Sequence, residues 1–253
     1  MKPFVRTFTF QNISGTFIAC AALLAVTITL PASVITWEAA RNIAGESDVS
    51  TAGSLVGAFN LGGEGVTNTT VNGVTFTGLA VNGTSTTSGN FNLSSAYAIS
   101  GDNTVLLPGP FGLSTSYETL ISSNIGTFGL PIVLTMNGLT AGATYEFEWW
   151  SSNNWGSPTY TRATAGNIQV LGSTVGEYGP YEWLPGQFGI GTFVADNTAL
   201  ETINFSTGYY TQINAIQLRQ TATVPEAGST FILFGLGILV LIPLSRAEKR
   251  SRA

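Results

Sequence analysis

Histidine is absent from these 253 residues, cysteine occurs once, and only 9% of positions are charged. Without imidazole the chain lacks the commonest general base near neutral pH and the commonest metal ligand. Ser-His-Asp hydrolysis, histidine-based zinc sites and zinc fingers are therefore excluded. Charge stands at about a third of the roughly 25% usual in globular proteins. Yet 44% of the residues are hydrophobic, enough to offset the ordering entropy of a folded core. The low charge does not signal disorder. Nine basic residues face fourteen acidic ones, with a net charge of −5 and a pI near 4.6. That balance argues against a nucleic-acid partner, which selects basic surfaces.

The little positive charge there is lies at the ends. Lys2, Arg6, Arg246, Lys249, Arg250 and Arg252 are six of the nine basic residues. Lys2 and Arg6 precede the 14-residue apolar run Phe17–Leu30, which is followed by Pro31, Ala32 and Ser33. This order predicts a secretory signal helix over residues 1–33, cut near Ala32–Ser33, with a retained N-terminal anchor as the alternative. Cys20 follows Phe17-Ile18-Ala19 but sits ten residues before the end of the apolar run. It reads as an apolar residue of the signal rather than a lipid-modified one. Once the signal is removed no cysteine remains, so no disulfide can staple the mature fold.

The C-terminus has three parts in a fixed order. Val224-Pro225-Glu226-Ala227-Gly228-Ser229 comes first, then an uncharged stretch of 17 residues from Ser229 to Ser245, then the basic tail 246–253. Seventeen residues is the short limit for a spanning helix, and the basic cluster after it predicts a cytoplasmic end with everything upstream outside. The arrangement of Val224–Ala253 resembles the PEP-CTERM sorting signal of bacterial envelope proteins, with Ala227 where the second proline of that motif usually stands. The resemblance implies a membrane-bound exosortase as partner, with cleavage near Pro225-Glu226. It further implies a Gram-negative host that makes exopolysaccharide. The protein would pass through the inner membrane and reach the cell surface or extracellular matrix.

Between these ends, residues 34–223 form a stretch of 190 residues, the size of one domain with a full core. It carries three basic and twelve acidic residues, a net charge of −9. Gly, Ser, Thr and Asn dominate it, and short apolar or alternating runs recur between turn signals. That is the pattern of a single antiparallel β-sandwich. Strands are predicted at Val34–Ala39, Ser54–Leu61, Val74–Val81, Ile132–Asn137, Tyr145–Ser151, Asn167–Leu171, Gly189–Val194, Glu201–Ser206 and Ile213–Gln220. Asn72-Gly73, Asn82-Gly83 and Asn137-Gly138 supply residues that tolerate positive φ in turns. A β-helix would need several similar coils, and the chain after Asn90 contains none. One helix is predicted from the capping box Thr115-x-x-Glu118, with Tyr117, Leu120, Ile121 and Ile125 on one face and Gly126 as its stop. It is expected to plug an open end of the sandwich. Leu139-x-x-Gly142-x-x-Tyr145 and the strand Ile213–Leu218 resemble parts of the galactose-binding-like jelly rolls of carbohydrate-binding modules. That resemblance implies a fold more than an activity.

Three groups of residues could carry function. Trp155 sits among Ser151, Asn153, Asn154 and Gly156, while Tyr178, Tyr181 and Trp183 sit in the Gly/Pro-rich stretch 176–186. Flat rings beside amides and hydroxyls suit the apolar faces and polar edges of sugars; the alternative is that the rings cap the core. Of Trp149 and Trp150 on one strand, one must face each side. Glu146 and Glu148 share a strand face at a spacing of roughly 6–7 Å, from about 3.3 Å of rise per residue. Paired carboxylates hydrolyse glycosides when they flank a substrate, which two neighbours on one strand do not. A solvated outer sheet face is expected for them. Glu46 and Asp48, with nearby carbonyls, could hold Ca²⁺, the alternative being a solvated turn. These features favour a non-enzymatic exported protein associated with exopolysaccharide through sugar binding. A structural matrix or adhesin protein is the alternative, and a glycan-active hydrolase or lyase a more distant one.

Overall fold

The computed structural model describes residues 33–103, 112–152, 161–165, 169–172, 186–196, 198–206 and 210–222. The expected signal helix, the sorting motif Val224-Pro225-Glu226, the apolar run to Ser245 and the basic tail lie outside the described residues. Among those described, no helix is long and apolar enough to cross a membrane.

Two short strands, β1 (Thr36–Trp37) and β2 (Arg41–Asn42), precede a 3₁₀ turn at Glu46–Asp48. Then come β3 (Ser54–Gly62), β4 (Thr69–Val71), β5 (Val74–Ala80), β6 (Gly83–Ser88) and β7 (Phe91–Asp102). Helix α1 (Thr115–Ser122) leads to β8 (Asn124–Phe128), β9 (Ile132–Met136), β10 (Thr144–Ser151), β11 (Thr161–Ala165) and β12 (Gln169–Gly172). The last four are β13 (Gln187–Val194), β14 (Glu201–Ser206), β15 (Tyr210–Ile213) and β16 (Ala215–Ala222). They form two sheets. The first runs β1-β13-β10-β16-β3-β5-β4, with β2 also on β13. The second runs β12-β11-β14-β9-β7-β8-β15, with β6 on β7.

The chain is thus mostly β, with two sheets and one α-helix among the described residues. It is not wholly antiparallel. β3 and β5 pair in parallel, Phe59 opposite Thr77 through Gly62 opposite Ala80. The chain reverses once into β4 and again at Asn72-Gly73, so β5 returns beside β3 in the same direction. Asn72 and Gly73 take φ of 49° and 75°, the two left-handed positions that a two-residue hairpin loop demands.

Alternation along the strands builds two cores rather than one. Tyr145, Phe147 and Trp149 of β10 face the second sheet and meet Leu134, Ile203, Phe205 and Ile213 in the larger core. Trp150 points the other way, yet it is as fully buried as Trp149. It packs with Phe76, Ala58, Ala215 and Phe188, covered by Tyr117, Leu120 and Ile121 of α1. The helix therefore lies on the outer face of the first sheet instead of plugging an end. It begins one residue earlier than its capping box suggests, since the Ser114 hydroxyl accepts the Tyr117 amide at 3.2 Å. It also ends earlier. Ile125 and Gly126 belong to β8, and Ile125 packs in the larger core.

The Leu139-to-Tyr145 motif has a plain mechanical use. The Tyr145 hydroxyl accepts the Thr140 amide at 2.7 Å and Gly142 turns at φ 77°, which ties the loop to the strand it enters. Gly101 of β7 lies against the backbone of Gly62, the last residue of β3, and of Gly63, and a Cβ at Gly101 would overlap the Gly62 carbonyl. Gly101→Ala should therefore cost about 1–3 kcal/mol as overpacking. Urea denaturation measures this, and an unchanged midpoint would mean the sheets can part there freely.

Candidate functional site

Because β10 alternates, Glu146 and Glu148 leave it on the side of Trp150, away from the larger core. In register, Glu146 lies opposite Arg219 and Glu148 opposite Gln217 of β16. The expectation of a solvated face fails here, because the segment from Ile43 to Ser50 folds over it. Ile43 and Val49 bury their side chains in the second core. Asn72 holds the Val49 carbonyl at 2.8 Å, and Gln217 Nε2 donates to the Ser50 carbonyl at 2.9 Å. Arg219 donates to the carbonyls of Thr51, Ala52 and Gly53 at 2.6–3.1 Å.

Under this cover Glu148 is only 1% exposed. Its Oε2 accepts the Ser50 amide at 3.1 Å and Gln217 Nε2 at 2.7 Å, while Oε1 has no hydrogen-bond partner. Burial pushes its pKa up to about 8, and the Glu146 charge adds to the rise. The Ser50 amide, Gln217 and Arg219 pull the other way without offsetting it. That shift favours the protonated acid in Glu148 at neutral pH. Glu146 is half-buried, and its Oε1 is also closed off without a partner.

A polar pocket of about 430 Å³ opens beside them. Four carboxyl groups line it: Glu38, Asp48, Glu146 and Glu148. Its one cation, Arg41, is paired with Glu38. Phe188 and Ile190 of the neighbouring strand β13 add apolar wall. Asp48 is held firmly. Its Oδ2 accepts the amides of Ala44 at 2.7 Å and Gly45 at 2.9 Å, and the Tyr117 hydroxyl at 3.3 Å. Tyr117 in turn accepts Trp150 Nε1 at 3.0 Å. Burial and the Asp48 charge hold its phenol well above the ordinary range, so it stays a donor.

The sequence-predicted candidates divide accordingly. Asp48 lines the pocket, whereas Glu46 on the same 3₁₀ turn is exposed and does not. Among the described residues, no group of three or more His, Cys, Asp or Glu side chains is placed to hold a metal ion. Trp155, Tyr178, Tyr181 and Trp183 lie outside the described residues. Glu38, Arg41, Gln217 and Arg219 were not singled out from the sequence. Polar residues at positions 217 and 219, alternating with Ile216 and Leu218, were the available signal. Chemically, the pocket offers an excess of acceptors and of negative charge. No family model matches the chain, and neither a curated protein nor a solved structure matches it.

Proposed function

We propose that the chain is an exported envelope protein, sorted by an exosortase-type enzyme, whose jelly-roll-like β-sandwich acts by binding and associates with exopolysaccharide. The observation that carries this reading is the order of segments in the C-terminal sequence: Val224-Pro225-Glu226, then 17 uncharged residues, then a basic tail. It is attached to a cysteine-free β domain behind an apolar N-terminal run, an arrangement suited to delivery outside the cell. The pocket, and the aromatic residues Trp155, Tyr178, Tyr181 and Trp183 of the sequence, are the candidates for glycan contact.

The test is expression of the full chain in an exosortase-bearing host and in the same host without the enzyme. Intact mass should show both ends lost only in the first. Mature protein still carrying Phe231–Ala253 would make the tail a permanent anchor. The processed protein should co-sediment with the host polysaccharide. Stacking contributes about 0.5–1.5 kcal/mol per ring, so Trp155→Ala with Trp183→Ala should weaken that binding roughly five- to a hundredfold. Processed protein that binds no glycan would favour the matrix-protein alternative instead.

A further inference from the structure

We propose that the acidic pocket between β10, β13 and the Glu46–Asp48 turn is a receptor for a protonated primary amine, presented by a glycan with free amino groups. The glycan half of this assignment rests on the polysaccharide reading above. The ammonium half rests on the pocket alone.

Three observations converge on it. The wall carries the carboxylates of Glu38, Asp48 and Glu146 beside the Glu148 carboxyl, and its single guanidinium is already engaged by Glu38, so the cavity is short of positive charge. Glu148, 1% exposed, keeps one carboxyl oxygen without a hydrogen-bond partner, and Glu146 beside it does the same. An ammonium brings three N–H donors and one positive charge, which is what such a wall lacks. The stretch 34–223 as a whole carries a net charge of −9, which repels an acidic polysaccharide and attracts a cationic one.

The groups that face Glu148 make binding proton-linked. Glu146 lies on its own strand, Arg219 on β16, Asp48 on the 3₁₀ turn and Tyr117 on α1, with Glu38 and Arg41 across the pocket. Glu148 holds its proton while the pocket is empty, at an affinity near pH 8. An arriving ammonium favours the carboxylate, so the proton leaves as the ligand binds.

Calorimetry on the full chain at pH 7, in buffers of different ionisation enthalpy, tests this with a glucosamine hexasaccharide and its fully N-acetylated counterpart. The free-amine oligomer should bind saturably with net proton release, and the acetylated one at least tenfold more weakly. Glu148→Gln should abolish the proton release, and Glu146→Gln should weaken binding at least tenfold. Thermal melts confirm that each variant is folded. Glu64→Gln, at an exposed position away from the pocket, should change nothing. Equal binding of both oligomers, unaffected by the pocket variants, would overturn the receptor while leaving the polysaccharide reading intact. Methylammonium binding with the same proton release, and no gain from either oligomer, would uphold the ammonium site and remove the glycan. No proton-linked binding of any amine would overturn the proposal. So would loss of binding in Glu64→Gln, or proton-linked binding of Ca²⁺ alone.

Discussion

Glu148→Gln is expected to make the protein more stable at pH 8.5 by about 3–5 kcal/mol, with little change at pH 4.5. The sign follows from where the proton sits. The folded state holds it up to about pH 8, whereas an unfolded glutamate releases it near its ordinary 4.5. Between those values the native protein binds more protons than the unfolded chain, so stability falls as pH rises and levels off above about pH 8. At about 1.36 kcal/mol per unit, the gap sets a ceiling near 5 kcal/mol. Glutamine has nothing to ionise. Its carbonyl can take the two donors that Glu148 Oε2 now accepts, from Ser50 and Gln217. Urea denaturation of both proteins between pH 4.5 and 9 measures the difference. Parallel curves would mean that Glu148 is ionised and solvated, and the segment 43–50 does not cover it.

That prediction depends on a contact no local pattern announces. The alternation in Tyr145–Ser151 correctly places Glu146 and Glu148 on one face and Phe147 and Trp149 on the other. Nothing local says that a segment a hundred residues earlier lies across the acidic face. The signals there are weak: Val49 and Ile43 are isolated apolar residues among polar ones, and the ties are made by backbone groups. Both tryptophans turn out buried for the same reason. A two-faced strand has one outer side only if nothing packs there, and α1 does.

The strands divide similarly. Glu201–Ser206 matches its expected bounds, and β3, β5, β9, β10 and β13 lie within one or two residues of theirs, because their apolar runs are bounded by turn residues. β6 and β7, reading Gly83–Ser88 and Phe91–Asp102, are rich in Ser, Thr and small residues and escape such a criterion. They are strands because they pair with each other and with β8 and β9, a non-local cause. The helix boundary was displaced by the same effect. Ile125 fits the helical face by spacing, but pairing with Gly101 and Ile213 draws it into β8.

Asn214→Ala is expected to destabilise the fold by about 3–5 kcal/mol, which for a domain of this size lowers Tm by roughly 10 °C. The periodicity of Ile213–Gln220 suggests one strand, yet the chain changes sheets inside it. β15 ends at Ile213 in the second sheet and β16 begins at Ala215 in the first. Asn214 makes that switch possible. Its amide donates to the Trp150 carbonyl and its carbonyl accepts the Leu61 amide, joining it to the first sheet. Its fully buried side chain donates to the carbonyls of Ile121 at 2.8 Å and Ser123 at 2.7 Å, and accepts the Ser152 amide at 2.6 Å. Those carbonyls lie at the end of α1, where a helix has no internal donors left. Alanine keeps the backbone bonds but strands three buried groups, each at about 1–3 kcal/mol. Asn214→Asp separates the contributions: it keeps the acceptor for Ser152 and loses both donors, so it too should destabilise. A melt unchanged in both variants would mean that water or relaxed backbone replaces the side chain, and that the crossover does not depend on it.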